Sequence, residues 1–284
     1  MIGAIAMHAI RESLRRRVFV VVLVLSIAFL LFYAWGVSEV FEDVDAFAEG
    51  EERPFGVDSE TIVGGTLLGI AMFVTLFLGA VLSTFLTLGA VRGDAERGLL
   101  QAVVVRPLGR SQYIAGRLLA AGAVSGGYVI ALFLACVVVT GLVGWWPDRV
   151  LGPALALGAG AFILAALGML GSVLFSTTAN GIAIFMLFGA GITGGLLGQI
   201  GEGLESETLK DAGSVVSWAL PFEELYQHGL ALITADAEGT TETIVNLGPF
   251  GGAQEAGFGL WLFAALYLVA TVALAARLFA RRDL

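Results

Sequence analysis

Residue types that could do covalent or metal chemistry are scarce in this chain of 284 residues, which has one cysteine and two histidines. His8 and His228 have no neighbouring ligand at helical spacing, so neither predicts a metal site. Lys210, the sole lysine, is flanked by Leu209 and Asp211. A phosphate-binding P-loop needs a lysine directly after its glycines, so that motif is excluded. We therefore expect no catalytic residue, no metal and no cofactor in this chain.

Charged side chains, rather than catalytic ones, are the notable feature of residues 92–117. Asp94 and Glu96 open a short helical pattern, where carboxylates complement the positive end of a helix. Pro107 and Gly109 stop the pattern. We expect a short helix that lies across the inner surface of a membrane. The other candidate binding residues of this segment are Arg97, Gly98, Leu100, Gln101 and Arg110.

The elements that must position this segment are apolar. With 58% hydrophobic residues, 14% charged residues and a mean hydropathy of +0.91, the chain is predicted to be an all-α integral membrane protein with one domain, 1–284. A spanning helix needs roughly 20 apolar residues, because the hydrocarbon layer is about 30 Å thick. The six segments that qualify are 18–36, 62–91, 118–143, 154–175, 181–200 and 257–276.

The arginines predict the topology. Twelve of the fifteen basic residues lie at the N-terminus, in residues 92–117 or at the C-terminus. Positive residues next to spans stay on the cytoplasmic side. We therefore expect both termini and the 92–117 connection to face the cytoplasm of a plasma or inner membrane. Residues 37–61 and 201–256 are then extracytoplasmic.

The acidic residues show the opposite distribution, since 20 of the 24 fall in the predicted outer segments, including Asp148 in the connection between the third and fourth spans. We favour a solvated, self-repelling outer surface as the explanation. A site for a metal ion or for a basic extracytoplasmic partner is the alternative.

The six predicted spans contain no Asp, Glu, Lys, Arg or His. Ion-driven transporters need ionisable groups at membrane depth, so secondary transport is disfavoured. Uphill transport would then take its energy from outside the membrane, most simply from nucleotide hydrolysis by a cytoplasmic ATPase partner. A membrane scaffold or assembly factor that moves no cargo is the other alternative.

The 92–117 connection resembles the matching segment of ABC-2-type ABC transporter permeases, in particular the subclass associated with copper-site maturation of nitrous oxide reductase. Leu99 and Arg117 replace the threonine and lysine that are familiar in that family. The resemblance implies that Asp94 to Gln101 is a coupling helix seated in a groove of an ATPase subunit, with Glu96 and Arg97 as its main polar contacts. The matching positions are Glu96, Gly98, Leu100, Pro107, Arg110 and Gly116.

Other parts of the chain extend the resemblance. Residues 1–17 have an amphipathic stripe that resembles the family's elbow helix, Pro221 precedes Tyr226 before the last span, and the tail is rich in arginine. The resemblance implies an exporter permease that is not itself an enzyme, with ATP and Mg on a separate ABC ATPase. It also implies pairing with a second permease copy or a paralogue. Membrane lipid is an expected partner and nucleic acid is not.

Glycines recur at four-residue spacing within the predicted spans. Small residues let helix backbones approach closely in a membrane, so we favour helix packing over contact with cargo as their role. Scattered hydroxyl groups such as those of Thr75 and Ser125 suit an apolar or amphipathic cargo, although most should bond to their own helices. The glycines assigned to packing are Gly122, Gly126, Gly191, Gly194, Gly195 and Gly198.

Overall fold

The computed structural model describes residues 17–50, 58–88, 90, 110–241, 244 and 256–281, together with residues 3, 7 and 9–11. Most of the predicted elbow helix lies outside these residues. The predicted coupling helix, Asp94 to Gln101, and the last three residues of the tail lie wholly outside them.

Eight helices lie within the described residues, and no strand does. Six of them are long and apolar enough to cross a membrane, which confirms the predicted all-α membrane class and the number of spans. The eight are α1 (Arg17–Gly50), α2 (Ser59–Thr87), α3 (Arg110–Leu142), α4 (Leu151–Leu174), α5 (Thr177–Gly203), α6 (Glu207–Ala219), α7 (Pro221–Ile233) and α8 (Phe258–Ala280).

Two helices continue well past the apolar stretches that predict them. The first span was expected to end at residue 36, but α1 runs to Gly50. Residues 37–49 contain no glycine or proline, so nothing in them breaks the helix where the hydropathy falls. Similarly, α3 begins at Arg110, before the apolar run from Leu118.

The bundle is organised around α4, which contacts α2, α3, α5, α7 and α8. Its glycines allow close approach of neighbouring helices. A Cβ atom at Gly126 of α3 would lie 3.0 Å from the carbonyl oxygen of Gly158 in α4. Ser83 of α2 donates a 3.0 Å hydrogen bond to the carbonyl oxygen of Ala161. Asn180 of α5 donates one of the same length to the carbonyl oxygen of Gly168.

We call one end of the bundle the distal face. It is the end where α1, α3 and α5 finish and α2, α4 and α8 begin. The arginine distribution predicts that this face is extracytoplasmic. At the opposite end α2, α4 and α8 finish and α3 and α5 begin.

Candidate functional site

Helices α6 and α7 form a hairpin between the fifth and sixth spanning helices. Residues 201–256 were expected to form an outer segment with a helix starting at Pro221. Pro221 is indeed the first residue of α7, a position that suits proline because the missing N–H would have no helical partner there. The structure differs from the expectation in its placement of this segment, because the α6–α7 hairpin packs along the spanning helices.

Glycines explain how α6 packs so closely on α5. A Cβ atom at Gly213 of α6 would lie 2.7 Å from the Cα of Gly198 and 3.1 Å from the carbonyl oxygen of Gly194, both in α5. Further along the pair, the side chain of Val216 fills the space beside Gly194. Backbone therefore meets backbone where the two helices cross.

Three contacts show that the hairpin turn, at Ala219 to Phe222, lies inside the bundle. Tyr267 of α8 donates a 2.9 Å hydrogen bond to the carbonyl oxygen of Ala219, and Tyr267 is nine residues, or about 14 Å, from the distal end of α8. The carbonyl oxygen of Phe222 lies 3.5 Å from the Cβ position of Gly160, a similar depth along α4. Glu223 contacts Gly195, about 12 Å from the distal end of α5. The hairpin thus re-enters the bundle from the distal face.

Helix α7 returns to the distal face along α4. Its residues are almost all buried; Leu232 lies against Gly152, near the start of α4. The backbone N–H of Asp148 donates to the carbonyl oxygen of Ile233 at 3.2 Å. At the turn, the ring of Phe222 stacks on that of Phe188 in α5, with centroids 5.8 Å apart. Both ends of α7 are therefore fixed to spanning helices or their connections.

Glu223 is the ionisable group that the hairpin carries into the bundle, and its side chain is only 1% exposed. Gln227 donates a 2.8 Å hydrogen bond to Oε1, and Ser217 donates a 3.2 Å bond to Oε2. Gln199 of α5 donates to Gln227 at 2.8 Å. The carboxyl is thus tied to α5, α6 and α7 by neutral groups.

Burial raises the pKa of Glu223 to about 7, from an ordinary value of 4.5. The hydrogen bonds from Gln227 and Ser217 oppose this rise, and the neighbouring charge of Glu224 adds to it. A buried carboxyl without a cationic partner favours its neutral form because charge is poorly solvated there. The group therefore changes charge near neutral pH.

Two adjoining cavities lie beside the first turn of α7, where Glu223 lines one and Glu224 lines both. The first, of about 300 Å³, lies between α5, α6 and α7 and is polar; Gln199, Glu223 and Gln227 line it. The second, of about 360 Å³, lies between the hairpin and the start of α8 and is lined by Trp218, Leu260 and Phe263. We call them the polar cavity and the aromatic cavity. Both are also lined by Ser214, Ser217 and Glu224.

Most of the predicted partner-binding residues lie outside the described part of the chain. Arg110 is the exception and is the first residue of α3. The others are Asp94, Glu96, Arg97, Gly98, Leu100, Gln101 and Pro107. Their role stays a prediction.

The structure places the predicted packing glycines against two kinds of neighbour. Gly122 of α3 faces the ring of Phe162 in α4, so this contact joins two spanning helices, as does that of Gly126. The four glycines of α5 face the hairpin instead: Gly191 meets Phe222, Gly194 meets Val216, Gly195 meets Glu223, and Gly198 meets Gly213.

The sequence analysis missed Glu223 and the glutamines beside it. The six predicted spans contain no Asp, Glu, Lys, Arg or His, but the expectation that no such side chain lies at their depth is wrong because the hairpin brings in Glu223. One signal was present in the sequence. The four-residue spacing of Gly194 and Gly198 is typical of close helix contacts, although it does not identify α6 as the partner.

The hydroxyl groups of the spans mostly bond to their own helices, as was expected on general grounds. Ser125 donates to the carbonyl oxygen of Ala121 at 2.8 Å, and Thr84 to that of Ala80 at 2.7 Å. Ser26 of α1 donates to the carbonyl oxygen of Val22 at 2.7 Å and also shares a hydrogen bond of 2.5 Å with Tyr128 of α3.

His228 of α7 has a packing role. Its Nδ1 accepts a 3.0 Å hydrogen bond from the backbone N–H of Ala256, and its ring meets the edge of Trp261. Among the residues that the structure describes, no group of three His, Cys, Asp or Glu side chains could hold a metal ion.

Comparison with known proteins places these features in a family. A search of curated proteins finds no match to the sequence. The chain matches the family model described as "ABC-2 family transporter protein" over residues 3–284. That model does not distinguish the nitrous oxide reductase maturation subclass. Because the match covers nearly all of a chain with six apolar helices, the protein belongs to the ABC-2 family of transporter membrane proteins.

Proposed function

We propose that this chain is the permease subunit of an ABC exporter, driven by ATP hydrolysis on a separate nucleotide-binding subunit. The family match over residues 3–284 carries this proposal. The resemblance of residues 92–117 to a coupling segment supports the ATPase partner. The arginines at both termini and in that segment support a cytoplasmic location for it in the cell membrane.

Glu223 bears on the alternative function, which is ion-coupled secondary transport. Its burial beside α5 removes the sequence argument against ion-coupled transport, since a group that changes charge near neutral pH is available at depth. The family match, rather than the absence of such groups, is therefore what supports our proposal of ATP-driven transport. Assignment to the nitrous oxide reductase maturation subclass rests on the resemblance alone. Pairing with a second permease copy has the same basis.

Glu96→Arg is expected to abolish binding of the ATPase subunit. The change reverses the charge of the main polar contact that we assign to the coupling helix, and removal of one partner of an interfacial charge pair typically costs about 2–5 kcal/mol. The measurement is co-purification of a tagged permease with a co-expressed candidate ABC ATPase subunit. Replacement of Asp94 to Gln101 by a Gly/Ser linker should have the same effect.

Glu238→Arg is the matched control, because Glu238 is an exposed carboxylate beyond α7, on the distal face. This variant should leave co-purification unchanged if the distal face and the coupling segment lie on opposite sides of the membrane. Survival of ATPase binding in both the Glu96→Arg and the linker variants would show that the coupling segment is elsewhere.

A further inference from the structure

The polar and aromatic cavities adjoin and differ in chemistry, and we call the two together the hairpin groove. Ser214, Ser217 and Glu224 line both cavities, so these three side chains lie at the boundary between them. Each cavity is within the size range of small-molecule sites, about 300–1,000 Å³. Such sites combine apolar walls with a few polar groups, which is the composition found here.

The polar end of the groove has an excess of negative charge. Glu223 and Glu224 both line it, and the only cationic side chain in its lining is that of Lys210. Lys210 is already paired with Glu207, at 3.4 Å. Within the described part of the chain, no basic side chain forms an ion pair with Glu223 or Glu224. Carboxylates in a partly desolvated site favour a cation close by.

The other end of the groove presents aromatic surface beside the apolar helix α8. Trp218 is 66% exposed, and its ring lies 4.8 Å from that of Phe263, edge to face. Leu260 extends this surface along α8. An indole face attracts ammonium groups and also packs against hydrocarbon. An apolar molecule dissolved in the bilayer could reach this end directly.

We propose that the hairpin groove binds an amphiphilic cation, with its ammonium head in the polar cavity and its hydrocarbon part on Trp218, Leu260 and Phe263. Glu224 contacts the head from the junction of the two cavities, and Glu223 supplies the second negative charge. A phospholipid head group suits the groove less well because its phosphate would face two carboxylates. The inference is independent of ATP-driven transport, because it concerns binding at equilibrium.

The test is equilibrium dialysis of isotope-labelled decyltrimethylammonium against the purified chain in phosphatidylcholine nanodiscs at pH 8, with binding to empty nanodiscs subtracted. We expect saturable binding. Glu224→Gln should weaken binding about fivefold or more, as should Trp218→Ala, whereas Trp218→Phe should retain most of the affinity. Decyl sulfate, with the same chain and the opposite charge, should bind no more than it does to empty nanodiscs.

Glu238→Gln is the matched control because it removes one exposed carboxylate outside the groove, and it should leave the affinity unchanged. Equal weakening by Glu238→Gln and Glu224→Gln would mean that general surface charge attracts the probe, and would overturn the proposal. So would an absence of saturable binding, binding of decyl sulfate with similar affinity, or unchanged affinity in both Glu224→Gln and Trp218→Ala. None of these results would bear on ATPase coupling, which the Glu96→Arg experiment tests separately.

Discussion

Replacing Gly213 with leucine is expected to dislodge the α6–α7 hairpin from α5. Even a Cβ atom at this position would lie 2.7 Å from the Cα and 2.8 Å from the N of Gly198. Both of these atoms are backbone and cannot rotate away. Overpacking of this kind typically costs about 1–3 kcal/mol and occasionally more. We expect the apparent Tm of the detergent-purified protein to fall by about 5–10 °C, as measured by size-exclusion chromatography after heating.

Gly189→Leu provides the comparison on α5 itself. A Cβ atom at Gly189 would have no neighbour within 4 Å, so a leucine there should leave the apparent Tm close to that of the wild type. If Gly213→Leu is also as stable as the wild type, α6 does not pack on α5 as described. If Gly189→Leu is destabilised equally, the loss reflects the replacement of any helical glycine by leucine rather than the hairpin contact.

The six spans could be predicted from the sequence because hydrocarbon thickness and helical rise together fix the length of an apolar run. The ends of the helices could not be predicted in this way. Hydropathy falls after residue 36, but α1 continues to Gly50 because helix formation depends on backbone propensity as well as on burial. The apolar run marks where lipid can cover the helix, not where its hydrogen bonds stop.

The re-entry of the α6–α7 hairpin could not be predicted, because its helices lack the long apolar run that identifies a span. Helix α6 has charged residues such as Lys210 and Asp211 at its distal end, and α7 is only 13 residues long. Helix α7 is covered largely by protein rather than by lipid, whereas α6 buries only Gly213. The depth of the hairpin therefore depends on tertiary contacts, here those of Gly213 and Phe222, that no local pattern encodes.

The candidate site was missed for the same reason. The spacing of Gly194 and Gly198 indicated a close helix contact, but the most direct expectation was another spanning helix rather than α6. Glu223 lies in the first turn of α7, where an acidic residue is common because it complements the helix dipole. Only the packing of α7 against α4 and α5 turns this ordinary residue into a buried one.

The raised pKa of Glu223 has a consequence for stability that depends on pH. In the unfolded chain this carboxyl loses its proton near its ordinary value of 4.5, whereas in the folded protein it keeps the proton up to about 7. Between these two values the folded state binds more protons than the unfolded state, so stability falls as pH rises. Above about pH 7 both states are ionised, and the loss is complete. For a shift of this size the loss is about 3 kcal/mol.

Glu223→Gln is expected to remove this pH dependence and to make the protein more stable than the wild type at pH 8. The amide is neutral at every pH, can still accept from Gln227, and can donate to Ser217, whose hydroxyl can also act as an acceptor. The measurement is the apparent Tm of both proteins from pH 5 to pH 8 in the same detergent. The difference between them should grow as pH rises to about 7 and then stay constant.

Glu238→Gln, which removes an exposed carboxylate, should follow the wild type throughout. If Glu223→Gln also followed the wild-type profile, Glu223 would be ionised already at pH 5, and a cation or water must then solvate it at the hairpin turn.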